Sequence, residues 1–239
     1  MNKYLTELIG TFFLVLTIGL SVLGGTPMAP LAIGAVLMVM VYMGGHVSGG
    51  HYNPAVSLAV FLRGKLQARD VVPYMLAQVV GAVAAAAVVY VVLGRTFAPA
   101  PGQGASAMGA LLVEVLYTTA LCLVVLHSAT APQTTGNSFY GLAIGFTVAA
   151  GAFAGGPISG GAFNPAVGIG PILVSAVLGS DGSPWANLWL YVVGPFVGGA
   201  LAAAVYRVQQ PAEATPQEAL AARADLDEAV PSSRRRTPA

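Results

Sequence analysis

Two copies of Asn-Pro-Ala are the residues of this chain best suited to chemistry inside an apolar environment. The phrase SGGHYNPAV at 48–56 returns as SGGAFNPAV at 159–167, so that the two asparagines are 164 − 53 = 111 positions apart. Asparagine is a strong helix N-cap, and proline is favoured at the first helical position, where its missing N–H costs nothing. Each box therefore predicts the start of a helix: Asn53-Pro54-Ala55 and Asn164-Pro165-Ala166.

The helices that follow these boxes are too short to cross a membrane. Residues 55–62 and 166–178 are mostly apolar, whereas a hydrocarbon layer about 30 Å thick needs roughly 20 helical residues. Irregular backbone at this depth is tolerated only where it is buried in protein or lines a wet cavity. The glycine pair upstream of each box permits the unusual dihedral angles of such a segment. We therefore expect two re-entrant half-helices.

Half-helices that enter from opposite sides would bring their N-termini together at mid-membrane. Each terminus carries roughly half a positive charge, so the pair would repel cations and turn the oxygen of a water molecule toward the asparagines. Each carboxamide can cap its own helix through oxygen while its NH₂ group donates into the lumen. A water molecule held by Asn53 and Asn164 would then point its hydrogens away and interrupt proton hopping.

The composition predicts the membrane spans that must hold these half-helices. Hydrophobic residues make up 56% of the chain, charged residues only 8%, and the mean hydropathy is +0.76. Stretches of roughly 20 apolar residues are long enough to span a bilayer. The predicted fold is an all-α integral membrane protein with six transmembrane helices and two re-entrant half-helices. The six spans are placed near 5–25, 30–46, 71–93, 107–129, 138–156 and 185–207.

The repeat extends beyond the boxes to both halves of the chain. Glu7-Leu8-Ile9-Gly10-Thr11 opens the first span as Glu114-Val115-Leu116-Tyr117-Thr118 opens the fourth, and Val80-Gly81-Ala82 matches Val197-Gly198-Gly199. Each half reads as span, span, box, span. An odd number of crossings per half forces the second copy to enter upside down, which predicts an inverted repeat of about 3–93 and 107–207 with its working site at the midplane.

Basic residues predict the orientation of the protein in its membrane. Lys3, the loop 63–69 and Arg207 fall on one side of a six-span arrangement, whereas Arg95 falls on the other. The positive-inside rule then places both termini in the cytoplasm of a multi-pass protein of the cell membrane. We expect residues 1–207 to form the channel domain. Residues 208–239, rich in Pro, Ala, Glu and Arg, predict a disordered cytoplasmic tail.

These residues resemble those of the major intrinsic proteins, the aquaporins and glycerol facilitators. The resemblance rests on the two boxes and the span-opening Glu7 and Glu114, and it covers about residues 3–207. It implies six tilted helices and two half-helices around one pore per subunit, assembled as homotetramers in the lipid bilayer. It also implies passage of water and small neutral solutes, and a structural task for both glutamates, which accept bonds from re-entrant backbone and from Tyr or His groups.

The chain departs from this family at the constriction that the resemblance implies. Water-selective members commonly carry an aromatic residue, a histidine, a small residue and an arginine there. The matching positions in this chain are Ile33, Ala152, Gly161 and Val167. The arginine directly follows the second box, so valine has replaced it. Glycerol-type members typically carry an aspartate after that arginine, where this chain has Gly168.

This replacement removes a fixed positive charge and several hydrogen-bond donors. The expected constriction is wider and more apolar, with fewer bonds to water and less exclusion of larger neutral solutes. Two outcomes remain open: relaxed passage of water with small uncharged molecules, or a poorly wetted throat. Water is the leading permeant, with a facilitator of glycerol, urea or ammonia as the alternative.

Glu7 and Glu114 also leave a different class of function open. An intramembrane carboxylate is costly to bury and is a functional hypothesis by default, and a proton-coupled transporter would use such groups as relays. Their equivalent positions in the two repeats favour the structural interpretation. A non-conducting structural membrane protein is a further alternative.

Other chemistry finds little support in the sequence. There are no paired catalytic carboxylates, no nucleophile with a neighbouring base and no phosphate-cradling loop, so we expect no enzymatic activity. Three separated histidines, His46, His51 and His127, do not make a metal site, and the lone Cys122 offers no disulfide. The first two histidines are interpreted as loop anchors, with pH sensing as the alternative. We expect no cofactor and, without a basic patch, no nucleic-acid partner.

Overall fold

The computed structural model describes residues 1–179 and 184–210 of the 239-residue chain. Within them, six helices are long and apolar enough to cross a membrane, and two shorter helices begin at the boxes. The long helices are α1 (Asn2–Leu23), α2 (Ala29–Ser48), α4 (Ala68–Leu93), α5 (Ala107–Val125), α6 (Tyr140–Ser159) and α8 (Leu188–Gln209). The half-helices are α3 (Pro54–Leu62) and α7 (Pro165–Leu178).

The predicted fold class is confirmed, and the span boundaries agree closely. A π-helical turn, Leu126–Thr130, extends α5, and a 3₁₀ turn, Pro184–Asn187, precedes α8. The first and third spans each begin three residues earlier than predicted, at 2 rather than 5 and at 68 rather than 71. The fifth span ends at 159 rather than 156.

Helix pairing brings the two halves together through glycines. A methyl group on Gly34 of α2 would lie 2.6 Å from the carbonyl oxygen of Gly145 in α6, and one on Gly145 would meet the Gly34 carbonyl in turn. These residues are equivalent, since 34 + 111 = 145. The reciprocal contact is the self-complementary kind that a two-fold axis generates. Small residues allow this approach because helix backbones in a membrane associate by close packing.

The chain reverses sharply between each long helix and the half-helix that follows it. Helix α2 ends at Gly49 with φ of 92°, and α6 ends at Gly160 with φ of 93°. The next residues, Gly50 and Gly161, have φ of 63° and 66°. Such left-handed angles carry a steric cost for residues with a side chain but little for glycine. Two consecutive glycines therefore let the chain turn back into the membrane instead of leaving it.

Residues Met1–Tyr206 form one compact unit. An even number of crossings places Asn2 and Tyr206 on the same side, which we call the N-terminal side, and the connection between α4 and α5 on the other, which we call the far side. The tail predicted for 208–239 lies outside the described residues from 211 onward, and α8 continues through Gln209, two residues into it.

Candidate functional site

Each asparagine of the two boxes caps its own half-helix. The Asn53 side-chain oxygen accepts a hydrogen bond from the Ala55 N–H at 2.8 Å, and the Asn164 oxygen accepts one from the Ala166 N–H at 2.9 Å. Both residues adopt extended backbone angles, with φ of −156° and −161°, as N-caps do. Proline occupies the following position in both helices, where no N–H is needed. The local sequence thus determines where both half-helices begin.

The two asparagines also join the halves of the molecule. Asn53 Nδ2 donates to the Phe163 carbonyl oxygen at 2.9 Å, and Asn164 Nδ2 donates to the Tyr52 carbonyl oxygen at 2.9 Å. The sequence predicts that these NH₂ groups donate into the lumen. One hydrogen of each is instead used across the two-fold axis, and the second is left for the pore. Both side chains are almost fully buried, with exposures of 3% and 4%.

The residues that supply these carbonyls are held in a strained conformation. Tyr52 and Phe163 have φ of 50° and 49°, the only positive φ values among the described non-glycine residues. Such angles cost a non-glycine residue roughly 1–2 kcal/mol. Their rings are buried, and the Tyr52 hydroxyl donates to the Met40 carbonyl at 2.8 Å. Packing holds each carbonyl in line with the asparagine of the opposite half, and at Tyr52 this bond contributes as well.

Glu7 fixes the first re-entrant loop. Its Oε1 accepts from the Ser48 hydroxyl at 2.7 Å and from the His51 N–H at 3.0 Å. Its Oε2 accepts from the Tyr52 N–H at 2.6 Å and from the Gln78 side-chain amide at 2.8 Å. The carboxylate is fully buried. A buried carboxylate is tolerated when hydrogen bonds satisfy its oxygens, and here four donors do so.

Glu114 repeats this arrangement with three donors. Oε1 accepts from the Ser159 hydroxyl at 2.7 Å and the Ala162 N–H at 3.0 Å, and Oε2 accepts from the Phe163 N–H at 2.7 Å. The expectation of re-entrant backbone donors agrees with these contacts. His51 and Tyr52 donate to Glu7 through their backbone N–H groups, and the side-chain donors are serine hydroxyls and, at Glu7, the Gln78 amide.

Two tyrosines near the N-terminal ends of α4 and α8 bind the same loops as the carboxylates. Tyr74 donates its hydroxyl to the Ser48 carbonyl at 2.7 Å, and Tyr191 donates to the Ser159 carbonyl at 2.6 Å. These bonds satisfy the last carbonyls of α2 and α6, which a helix end otherwise leaves unpaired. The loops are thus fixed at both their N–H and their C=O groups.

A polar chain runs from Glu7 to the pore wall in the first half. The Gln78 amide donates to both Glu7 Oε2 and Ser57 Oγ, the second at 3.0 Å, and Ser57 Oγ lies 3.0 Å from His51 Nδ1. The Ser57 hydroxyl can donate to Nδ1 or accept from it, according to the imidazole tautomer. Hydrogen bonds thus connect the Glu7 carboxylate to an imidazole in the cavity wall.

The asparagines line a cavity of about 390 Å³ that opens toward the far side. All four residues matched to the constriction, Ile33, Ala152, Gly161 and Val167, lie in the wall of this same cavity. Of the described residues that line it, His51 alone has a titratable imidazole, amine or carboxyl group. The half-helix termini therefore supply the main fixed positive potential around the asparagines.

A second cavity, of about 480 Å³, opens toward the N-terminal side. It shares His51 and Val125 with the first, so these two residues stand where the cavities adjoin. Together the two cavities reach both sides of the membrane-spanning unit. His46 is exposed and lies in the wall of neither.

A polar cluster that was not predicted from the sequence lies at the mouth of this second cavity. Asp70 is 4% exposed and accepts from Lys3 Nζ at 2.6 Å and from the Tyr4 hydroxyl at 2.7 Å. Asp70 lies in the first turn of α4, where a negative charge is stabilised by the helix dipole. The prediction left it outside the span because a charge interrupts the apolar run. The sequence signal that could have revealed this cluster is a lone aspartate just before a predicted span, on the same side of the membrane as Lys3.

Residues 1–179 and 184–210 contain no group of three His, Cys, Asp or Glu side chains arranged for an ion. His127 instead packs its ring 4.8 Å from that of Tyr206, and Cys122 is buried.

Taken together, two inverted halves, two opposed half-helices and cavities reaching both sides define a helical membrane channel. The family model described as Major intrinsic protein matches residues 1–206. The chain belongs to the major intrinsic protein family.

Relatives with established names lie in more than one branch of that family. The chain is 38% identical to aquaporin NIP1-4 of Oryza sativa subsp. japonica, over 86% of this chain and 76% of that protein. It is 36% identical to glycerol uptake facilitator protein-like 6 of Lactiplantibacillus plantarum, over 87% and 98% respectively. It is 33% identical to aquaporin Z of Brucella melitensis biotype 1, over 87% and 97%.

A solved structure supports the fold. The X-ray structure of the aquaglyceroporin from Plasmodium falciparum matches with a TM-score of 0.76 at 23% identity, covering 86% of this chain and 94% of that one. At this identity the match concerns the fold alone.

Proposed function

We propose that this protein is a passive channel that conducts water and small neutral solutes across the bilayer. The observation that carries the proposal is the pairing of Asn53 and Asn164, whose capped half-helices meet in the wall of a cavity that adjoins a second one. The names of the relatives, aquaporins and a glycerol uptake facilitator, are compatible with both kinds of permeant.

The midplane is the site of cation and proton exclusion in this proposal. The two half-helix N-termini place roughly one positive charge in total beside the lumen, which disfavours cations. The second Nδ2 hydrogen of each asparagine donates to the oxygen of a passing water molecule. That molecule then directs its own hydrogens toward the two mouths, which interrupts the chain of donors along which a proton would hop. Solutes move down their gradients without coupling.

Ile33, Ala152, Gly161 and Val167 set the width and polarity of the constriction. Their side chains are aliphatic or absent and offer no donor to replace the bonds that water loses on entry. A solute that carries its own apolar surface loses less there, because fewer of its contacts with water need replacing. This apolar wall favours a second candidate function, a solute facilitator with little selectivity for water.

Glu7 and Glu114 are structural in this proposal. Both carboxylates are fully buried, neither lines the two cavities, and their oxygens are occupied by three or four donors each. A relay must exchange protons with the aqueous path, and these groups do not face it. A flux that rises with an imposed proton gradient would instead support a coupled transporter.

We propose that the protein lies in the cell membrane with both termini in the cytoplasm. The basic loop 63–69 and Lys3, both on the N-terminal side, support this orientation. Homotetrameric assembly is proposed from membership of the family. Its test is the mass of the detergent-solubilised full chain, measured by light scattering coupled to gel filtration.

Stopped-flow light scattering on proteoliposomes containing the full chain tests the channel. Water, glycerol, urea and ammonia are compared with protein-free liposomes at equal lipid concentration. We expect faster volume change for water and at least one neutral solute, independent of a proton gradient. Rates equal to those of empty liposomes for all four permeants would support a non-conducting structural protein.

Val167→Arg tests the constriction in the same assay. Arginine would add fixed charge and several donors while narrowing the opening, so the ratio of water to urea permeability should rise. Val167→Met is the matched control, because it adds length without charge. Equal urea and glycerol flux through the wild-type and arginine proteins would contradict the placement of Val167 in the constriction.

A further inference from the structure

The connection between α4 and α5 contributes to the pore wall on the far side. We call residues 94–106 the far-side strap. Four consecutive residues of the strap, 97–100, line the same cavity as the two box asparagines. The four constriction residues come from α2, α6, the second re-entrant loop and α7, so the strap adds a wall segment that the boxes do not position.

The strap is fixed on both sides of these four residues. Before them, Thr96 Oγ1 lies 3.2 Å from Ser175 Oγ of half-helix α7. After them, the Gly102 N–H donates to the Ile158 carbonyl of α6 at 3.0 Å. A methyl group on Gly160 would lie 2.8 Å from the Ala100 carbonyl oxygen, which shows how closely the strap packs on the second re-entrant loop. A segment held at both ends keeps its lumen-facing side chains in place.

Phe97 is the largest of the side chains at 97–100, and its ring packs against α1. A methyl group on Gly19 of α1 would lie 2.5 Å from Cε1 of Phe97 and 2.7 Å from a methyl carbon of Val89. The ring therefore occupies space that only a glycine at position 19 leaves open. Phe97 is half-buried, packed against the core on one side and lining the cavity on the other.

This ring stands in a wall that otherwise carries small or aliphatic groups on the far side. The other two benzene-type rings lining the cavity, Tyr52 and Phe163, are 0% and 2% exposed and pack into the halves beside the asparagines. At the predicted constriction, Ile33 is aliphatic. Phe97 thus supplies an aromatic surface to the far half of the lumen from a different part of the chain.

We propose that Phe97 is a specificity-determining residue of this channel. Its ring narrows the far half of the lumen and sets the largest neutral solute that passes, a task that the aliphatic constriction leaves undone. The proposal rests on the proposed channel function. The substrate class it defines is small polyols and amides, with discrimination by the size of the solute rather than by charge.

Permeability to two polyols of different length tests this inference. In proteoliposomes of the full chain, Phe97→Ala should raise the ratio of erythritol to glycerol permeability by about tenfold, the scale on which a tight apolar pocket discriminates against one extra carbon. Water permeability should change much less, because water is smaller than either opening. Phe97→Leu keeps an apolar side chain at the strap and should give an intermediate ratio.

A substitution on the opposite side of the ring gives the reverse effect. Gly19→Ala places a methyl group against the ring and should displace it toward the lumen, which lowers the erythritol-to-glycerol ratio. In the double variant with Phe97→Ala this effect should vanish, because the two residues act through one contact. Incorporation into liposomes, measured by immunodetection, normalises all rates.

The outcomes separate this inference from the function on which it rests. A wild-type protein that conducts neither water nor glycerol overturns the proposed function and this inference with it. A wild-type channel whose erythritol-to-glycerol ratio is unchanged in both Phe97→Ala and Phe97→Leu overturns the role of Phe97 alone. If Phe97→Ala fails to incorporate, the Leu and Gly19→Ala variants decide the question.

Discussion

The two halves of this channel hold their re-entrant loops through the same backbone hydrogen bonds. They differ in the side chains that are linked to the glutamate of each half. Glu7 accepts hydrogen bonds from four donors, and Gln78 and Ser57 link it to His51 in a polar extension. Glu114 accepts from three donors and has no such extension. Equivalent residues are 111 positions apart around the boxes and 117 apart in the last span of each half, where Gly81 matches Gly198. Thus 51 + 111 gives Ala162, 57 + 111 gives Gly168, and 78 + 117 gives Pro195. Every polar group of the extension has an apolar counterpart.

This difference shows which contacts the inverted fold requires and which it leaves open. The serine hydroxyl, the two loop N–H groups and the tyrosine on the last helical carbonyl occur in both halves, with distances that differ by 0.1 Å or less. They hold backbone, whose donors are the same in any sequence. The extension holds side chains, so it could diverge between the halves. It supplies a polar imidazole, that of His51, to the N-terminal half of the lumen only.

Removing the two carboxylates should have the largest effect and should rank the halves. Glu7→Leu removes the carboxylate acceptor of four buried donors and Glu114→Leu that of three, and each donor left unsatisfied costs about 1–3 kcal/mol. We expect both variants to lose most folded protein, with Glu7→Leu the worse. The measurement is the temperature at which half of the monodisperse gel-filtration peak is lost in detergent. Equal losses would show that the Gln78 contact adds nothing to the first half.

Replacing the box asparagines should affect both halves equally. Asn53→Asp and Asn164→Asp keep the capping oxygen but remove the N–H that bonds the opposite carbonyl, and each adds a negative charge beside the lumen. We expect lower stability and, because the charge offsets the half-helix termini, greater permeability to monovalent cations. Conductance in planar bilayers measures this effect. Asparagine→Ser at either position, which keeps a capping oxygen without the charge, is the control, and cation conductance in the serine variant would rule out the electrostatic explanation.

The polar extension should matter less than the carboxylates and only in the first half. Gln78→Leu removes one donor from Glu7 and one from Ser57, for an expected loss of about 1–3 kcal/mol. Pro195→Leu, at the equivalent place, removes no hydrogen bond and is the matched control. Thermal unfolding in detergent compares the two. A loss in the control as large as in Gln78→Leu would indicate packing rather than hydrogen bonding.

The ion pair at the N-terminal mouth should have the smallest effect. The side chain of Lys3 is about one-third exposed. Exposed ion pairs typically contribute about 0.2–1 kcal/mol to the free energy of unfolding. Lys3→Met should therefore lower the unfolding temperature slightly and less so at high salt. Asp70→Asn, which also weakens the bond to Tyr4, should have a larger effect. A large loss in Lys3→Met would mean that the pair orders α1 against α4.

The sequence by itself determined the order of elements in this protein. Two boxes flanked by glycine pairs fixed the starts of both half-helices to the residue, because the N-cap preference of asparagine and the fixed φ of proline act locally. Hydropathy placed the six spans within three residues, since each must cross the same thickness of hydrocarbon. The matching glutamates revealed the inverted repeat, because duplicated backbone needs the same acceptor in each half.

Only the tertiary structure decided which groups meet across the two halves. The bonds from Asn53 to the Phe163 carbonyl and from Asn164 to the Tyr52 carbonyl join residues 110 and 112 positions apart, and no local pattern specifies that pairing. The contact of the Phe97 ring with Gly19 is equally unpredictable from local patterns, because it depends on a loop whose sequence shows no periodicity. Helices and turns depend on interactions between residues that are neighbours in the sequence. The lumen wall depends on how segments that are distant in the sequence pack against one another.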